Sequence, residues 1–153
     1  MIRRLFTVAI VMILLVGLIP CNALATNKID GTEIIWLEDG SYLEISIEKF
    51  PARGASTVSG SKKYTCYASD NSKLWEAKLT ATFNYSGAWY TCSVANCNVT
   101  IYDNNWYVVS NNTIRSSNNA QTNLTMGRKV LGVTVEQRQY TIKLTCDNNG
   151  NLS

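Results

Sequence analysis

The chain has 153 residues, 46% of them hydrophobic, with 14 basic side chains against 11 carboxylates, five cysteines and no histidine. The absence of histidine excludes Ser-His-Asp and Cys-His catalysis, histidine-ligated metal sites and imidazole pH switches. A formal charge of +3, with no basic run, also lacks the electrostatic footprint of a nucleic-acid binder.

The N-terminus reads as a secretory signal peptide spanning residues 1–25. Met1-Ile2-Arg3-Arg4 is basic, Leu5 to Ile19 is apolar apart from Thr7 and Gly17, and Asn22-Ala23-Leu24-Ala25 supplies small residues for cleavage after Ala25. The apolar run of fifteen residues falls short of the roughly 20 that span a bilayer, so no stable membrane span is expected after cleavage. Cys21 follows the run as a lipidated cysteine would, but Pro20 directly before it argues against lipidation. Loss of Arg3 and Arg4 leaves 12 basic residues against the same 11 carboxylates, a formal charge of +1. Residues 26–153 are expected to form a single domain. In an exported domain, Cys66, Cys92, Cys97 and Cys146 are expected to form two disulfides, with three connectivities open. A zinc site is a poorer use of them, since only Cys92 and Cys97 are close in sequence.

Strand signals dominate from there on. Leu43, Ile45 and Ile47 alternate with Glu44, Ser46 and Glu48, and Glu38-Asp39-Gly40-Ser41 supplies the preceding turn, so residues 33–48 read as a hairpin. Residues 51–61 are small and polar and read as a loop crossing between sheets. From Trp75 to Tyr85 the odd positions are Trp, Ala, Leu, Ala, Phe, Tyr and the even ones Glu, Lys, Thr, Thr, Asn. That period of two predicts a strand with one buried face. After Ser86-Gly87 the set Tyr90, Cys92, Val94 alternates with Thr91, Ser93, Ala95, which predicts an antiparallel return with the first set inward. Asn96-Cys97-Asn98 interrupts the phase, and Val99 and Ile101 restart it on odd positions. Asp103-Asn104-Asn105 makes a turn, and Trp106 to Val109 resumes strand character. Past a polar loop at Ser116–Asn119, Ala120, Thr122, Leu124 and Met126 share one face, as do Tyr140, Ile142, Leu144 and Cys146 on the last strand. The expected fold is all-β, an antiparallel β-sandwich of about eight strands, immunoglobulin-like in general architecture, although the pattern alone does not separate sandwich from barrel.

Aromatic residues gather at Trp89, Tyr90, Tyr102, Trp106 and Tyr107. Alternation assigns Trp75 and Trp106 to the core and leaves Trp89 and Tyr107 as candidate ligand-facing rings. A glycosidase needs two carboxylates flanking a sugar bond, and the candidates by position are Asp103 beside Trp106, with Asp70 or Glu76 near Trp75. The ordinary reading of each is a solvated turn or strand acid. Asp103-Asn104-Asn105 and Asp147-Asn148-Asn149-Gly150 lack the acidic positions and terminal Glu of a calcium loop and read as turns. Gly127-Arg128-Lys129 is basic but isolated, no glycine-rich phosphate loop opens a helix, and no cofactor is expected.

Asp39-Gly40-Ser41-Tyr42, Leu74-Trp75, Thr82-Phe83-Asn84-Tyr85-Ser86-Gly87, Cys92, Asn105-Trp106 and the tail Leu144 to Ser153 resemble small exported proteins of anaerobic, Clostridia-like Gram-positive bacteria. The resemblance spans most of residues 33–153 and brings no catalytic residues. It implies a bacterial, extracytoplasmic β protein, and it sets aside glycosylation of the sequons at Asn84, Asn98, Asn111, Asn123 and Asn151. Cysteines commonly stand at the positions of Cys92 and Cys146 in the resembling proteins. The resemblance thus implies a Cys92–Cys146 disulfide and leaves Cys66–Cys97 as the second. The functional expectation is a secreted or cell-surface, non-enzymatic module that binds a cell-wall glycan or a protein; the alternative is a small carboxylate-dependent hydrolase acting on glycans.

Overall fold

The computed structural model describes residues 23–29, 31–51, 56–86 and 88–153. Nine strands are placed: β1 (Ala23–Ile29), β2 (Thr32–Leu37), β3 (Tyr42–Lys49), β4 (Thr57–Tyr67), β5 (Lys73–Tyr85), β6 (Tyr90–Ile101), β7 (Trp106–Arg115), β8 (Asn119–Val130) and β9 (Val133–Thr145). They form two sheets, β1-β2-β3-β4-β5-β6 and β7-β8-β9, each in chain order and antiparallel throughout. The sandwich expectation holds. The connections are up-and-down hairpins, so the likeness to an immunoglobulin domain stops at two packed antiparallel sheets and does not extend to Greek-key order. The expected signal peptide lies outside the described residues except for Ala23–Ala25, which open β1.

The core follows from the alternation on β5, whose inward residues Trp75, Ala77, Leu79, Ala81 and Phe83 have no exposed surface. Each large member contributes about 1.5–3 kcal/mol by leaving water, and the alanines between them leave room for the opposite sheet. That sheet supplies Ala120, Leu124, Met126, Tyr140, Ile142 and Leu144. Trp75 packs at 4.9 Å from the Tyr140 ring and 6.4 Å from the Trp106 ring, both tilted. The three-stranded sheet lies over β4, β5 and β6, and the β1–β3 half extends to one side of the shared core. On the other side, side chains of β7 occupy carbonyls on the edge of β6: Asn111 donates to Cys97 O at 2.9 Å and Arg115 donates to Ser93 O. This blunts an edge that could otherwise pair with another chain.

Three expectations need correction. Residues 57–61, read as part of a crossing loop, are the start of β4, a central strand paired with both β3 and β5. Gly60 is needed there because a Cβ would collide with Glu48 O and with Leu152 of the C-terminal tail, which folds back to pair Leu152 with Cys146. On β6, Tyr90 and Val94 do not share the burial of Cys92; both are exposed. The pairing steps from Thr82↔Val94 to Phe83↔Cys92, so Ser93 is the extra residue of a β-bulge, and beyond it the inward set is Ala95, Cys97, Val99 and Ile101.

The third correction concerns sulfur. The four cysteines among the described residues, Cys66, Cys92, Cys97 and Cys146, are buried, and no disulfide joins them in the structure. Cys66 is level with Trp75 and hence with Ile101, whereas Cys97 is level with Leu79. Two strand spacings and four residue steps put them roughly 16 Å apart, far beyond the roughly 7 Å that a disulfide bridges. A Cys66–Cys97 bond is therefore incompatible with the sheet. Cys92 and Cys146 do converge: their N–H groups donate to adjacent carbonyls in one turn, Ser117 O at 2.7 Å and Asn118 O at 2.9 Å.

Candidate functional site

Successive hairpins alternate between the two ends of the sandwich, so the β2–β3, β4–β5, β6–β7 and β8–β9 turns gather at one end. Three of them are built the same way. The Asp39 Oδ1 atom accepts from Ser41 N at 3.0 Å and from Ser41 Oγ, Asp70 Oδ1 from Ser72 N at 2.9 Å and Ser72 Oγ at 2.6 Å, and Asp103 Oδ1 from Asn105 N at 2.9 Å and Asn105 Nδ2 at 3.0 Å. Each aspartate thus closes its own turn. Gly40 and Asn71 take the positive φ values, 81° and 66°, that the first two turns require.

Between these turns lies a cleft of about 260 Å³ lined by Asp39, Ser41, Ala68, Ser69, Ser72, Leu74, Asp103, Trp106 and Arg128. Beneath it, Arg138 of β9 is 8% exposed. Its guanidinium donates to Asp39 Oδ2 at 2.5 Å, to Ser41 Oγ at 3.3 Å and to Glu136 Oε1, and it stands 5.9 Å from the Trp106 ring centroid. Burial opposes ionisation of Asp39, but the hydrogen bonds from Ser41 and Arg138 outweigh it and hold the carboxyl below its ordinary value. Burial likewise opposes the Arg138 charge, and the Asp39 and Glu136 partners more than restore it. The result is a fixed polar cleft whose one aromatic lining residue, Trp106, is itself only 4% exposed.

The sequence candidates fall in different places. Asp103 and Trp106 meet in the cleft, joined by Asp39, Ser41 and Arg128, which sequence reasoning did not single out. Asp70 stands at the same end but is fully solvated, its carboxyl held down by the Ser72 hydroxyl and N–H. Glu76 lies on β5 with an ion pair to Lys73 at 4.0 Å. Trp89, at the opposite end, is 54% exposed. The Tyr107 ring is not an open platform: it lies across Gly127, its hydroxyl is 2.8 Å from Thr134 Oγ1, and Lys129 Nζ sits 4.5 Å above it. At the far end, Asp147 accepts from Asn149 N, Asn151 N and Asn151 Nδ2, which accounts for that loop as a turn.

A second aromatic feature had gone unnoticed. Trp36, Tyr42 and Tyr67 sit side by side across β2, β3 and β4 on the outer face, with centroids 4.9 and 5.0 Å apart, and Lys73 links Tyr67 to Tyr102. Tyr42 and Tyr67 stack nearly parallel, at 15°, so their faces meet each other and their edges meet water. This ladder stabilises the sheet through cross-strand pairs, and it does not offer flat faces to a sugar ring. No known protein family, no curated protein and no solved structure matches the chain. The likeness to exported proteins rests on its sequence motifs alone.

Proposed function

We propose that this is an exported, extracytoplasmic binding module that takes a polar unit of a cell-wall glycan into the cleft between its hairpin turns. The observation that carries this reading is the lining of that cleft. Carboxylate acceptors, serine hydroxyls and the Arg128 donor line it beside the edge of the largely buried Trp106, and closely spaced polar groups of both kinds suit a hydroxyl-rich ligand. The turns and the buried Arg138 fix these groups beforehand, which lowers the ordering cost of binding. Titration of the protein with soluble cell-wall fragments, followed by calorimetry, should give binding that weakens about tenfold or more in Asp103→Ala and in Arg128→Ala. Trp89→Ala, at the opposite end, should bind as wild type does. Equal affinity in all four proteins would remove the cleft from the proposal.

Two carboxylates on one cleft favour a second reading, a glycan hydrolase using Asp39 and Asp103. Such chemistry needs one of the pair protonated at working pH, and Asp39 is held in the ionised form by Arg138 and Ser41. Reducing-end release from the same fragments, lost in Asp103→Asn, would favour the hydrolase over the binding module.

A further inference from the structure

The β8–β9 hairpin carries a conflict of local rules. Its loop is the pair Leu131-Gly132, closed by Val130 opposite Val133, with φ of 50° and 81°. Both φ values positive is the type I′ pattern, for which Asn-Gly is the preferred sequence. A leucine there is strained by its Cβ, and this one is also 98% exposed. Val133 is 65% and Val130 45% exposed, and Val135 behind them is exposed too. The hairpin stands clear of the third strand: the β7–β8 pairing ends at Trp106↔Arg128, with one more bond from Lys129 N to Asn105 O. An apolar side chain held in a disfavoured conformation at a projecting apex stabilises nothing in the fold, and strain of this kind collects at sites of function.

We infer that this apex is a membrane-docking tip that inserts Leu131, Val130 and Val133 into the surface of an anionic bilayer. The choice of occupant rests on charge and shape. Arg128 and Lys129 immediately precede the apolar residues, and the first carboxylate beyond the apex is Glu136, which stands opposite Arg128 and is held by Arg138. Arg128 shares its cleft with Asp39 and Asp103, so Lys129, on the other side over Tyr107, is the cation best placed to meet headgroups. A convex tip with side chains pointing into water suits a fluid apolar layer, in which no complementary pocket is required. Insertion would be peripheral and reversible, and it would orient the sandwich with its cleft end toward the membrane. It is independent of what the cleft binds.

The test compares wild type and variants in the same N-terminal form, as recovered after export, so that the Leu5–Ile19 stretch contributes equally. Sedimentation with vesicles of phosphatidylglycerol and phosphatidylcholine should pull down the wild type, and vesicles of phosphatidylcholine alone should retain it about fivefold less, the effect of about one cation at an anionic surface. Leu131→Asn should weaken vesicle binding about tenfold while raising the melting temperature by about 3 °C, because asparagine suits the turn. Opposite signs in binding and stability separate docking from a structural role. Lys129→Gln should remove the lipid preference. The proposal is overturned if the wild type does not sediment, or if Leu131→Asn binds vesicles like wild type. It is equally overturned if Leu131→Asn loses only the capture of a soluble protein, since the tip would then fit a protein pocket.

Discussion

Arg138 shows how one buried charge organises a surface. It lies almost wholly inside, yet it is matched by Asp39 and Glu136 and rests on Trp106, so the usual penalty of a buried cation is met by hydrogen bonds. Because the Asp39 carboxyl is held below its ordinary value in the folded state, its contribution to stability is complete above the unfolded-state value near 3.8. It is lost as pH falls through the lower folded value. Acid titration of the melting temperature should therefore show a fall beginning below about pH 4, and Asp39→Asn should be less stable than wild type at neutral pH and flatter across that acid range. An Asp39→Asn profile parallel to that of wild type would show that the pair does not couple folding to protons. The cysteines give a second prediction at this scale. Burial pushes the thiols of Cys92, Cys97 and Cys146 up, so all three are poor nucleophiles in the folded protein. If the chain is exported as proposed, oxidation before or during folding should join Cys92 to Cys146 through exchange with a donor disulfide, which leaves as two thiols. That bond would contribute about 4 kcal/mol through the long loop it closes. Cys66 and Cys97, separated by the register, should each be alkylated as a thiol after unfolding. Non-reducing peptide mapping distinguishes this from any bond that includes Cys66.

Among the elements, what could be read in the sequence depended on how strictly each strand alternates. From Trp75 to Phe83 of β5 every inward residue is apolar and every outward one polar, because one face packs on the other sheet, and over that stretch the sequence pattern and the burial agree residue for residue. On β4 the same rule is hidden. Its inward positions include Gly60 and the partly buried Lys62 together with Val58 and Cys66, and the tail residue Leu152 fills the space above Gly60. A strand whose missing side chain is supplied by a residue distant in sequence cannot be recognised from its own composition. On β6 the inward place of Cys92 was legible but the Ser93 bulge was not, since inserting one residue flips the faces without leaving a turn residue behind. The cleft was half legible for a related reason. Asp103 and Trp106 are neighbours in sequence, whereas Asp39, Arg128 and Arg138 reach them only after three hairpins have come together. The Trp36–Tyr42–Tyr67 ladder could have been found by laying the first hairpin in register, but its third ring lies on the strand that was missed.

At the scale of the molecule, the two sheets are unequal, and stability should be distributed accordingly. The cluster of buried side chains is concentrated on β5, β8 and β9, while β2 and β3 contribute only Leu37 and Leu43 to it, and β5 is paired on both sides and covered by the second sheet. Among the described residues β1 is an edge strand paired with β2 alone, in the half of the large sheet that extends past the shared core. Cleavage after Ala25 would also remove its first three residues and the Ala23↔Leu37 and Ala25↔Trp36 pairings, leaving Thr26–Ile29 to hold the edge. A strand bonded on one side only is the kind of segment that opens without global unfolding. Native-state hydrogen exchange should therefore find the amides of Ala77, Leu79 and Ala81 exchanging only with global unfolding. The amides that bond β1 to β2 should exchange at least about a hundredfold faster. Mild denaturant should accelerate the β5 amides steeply and leave those of β1 almost unchanged, since local opening exposes little surface. Protection of β1 equal to that of β5, with the same denaturant dependence, would mean that the edge strand belongs to the cooperative core and that the two halves of the large sheet unfold as one.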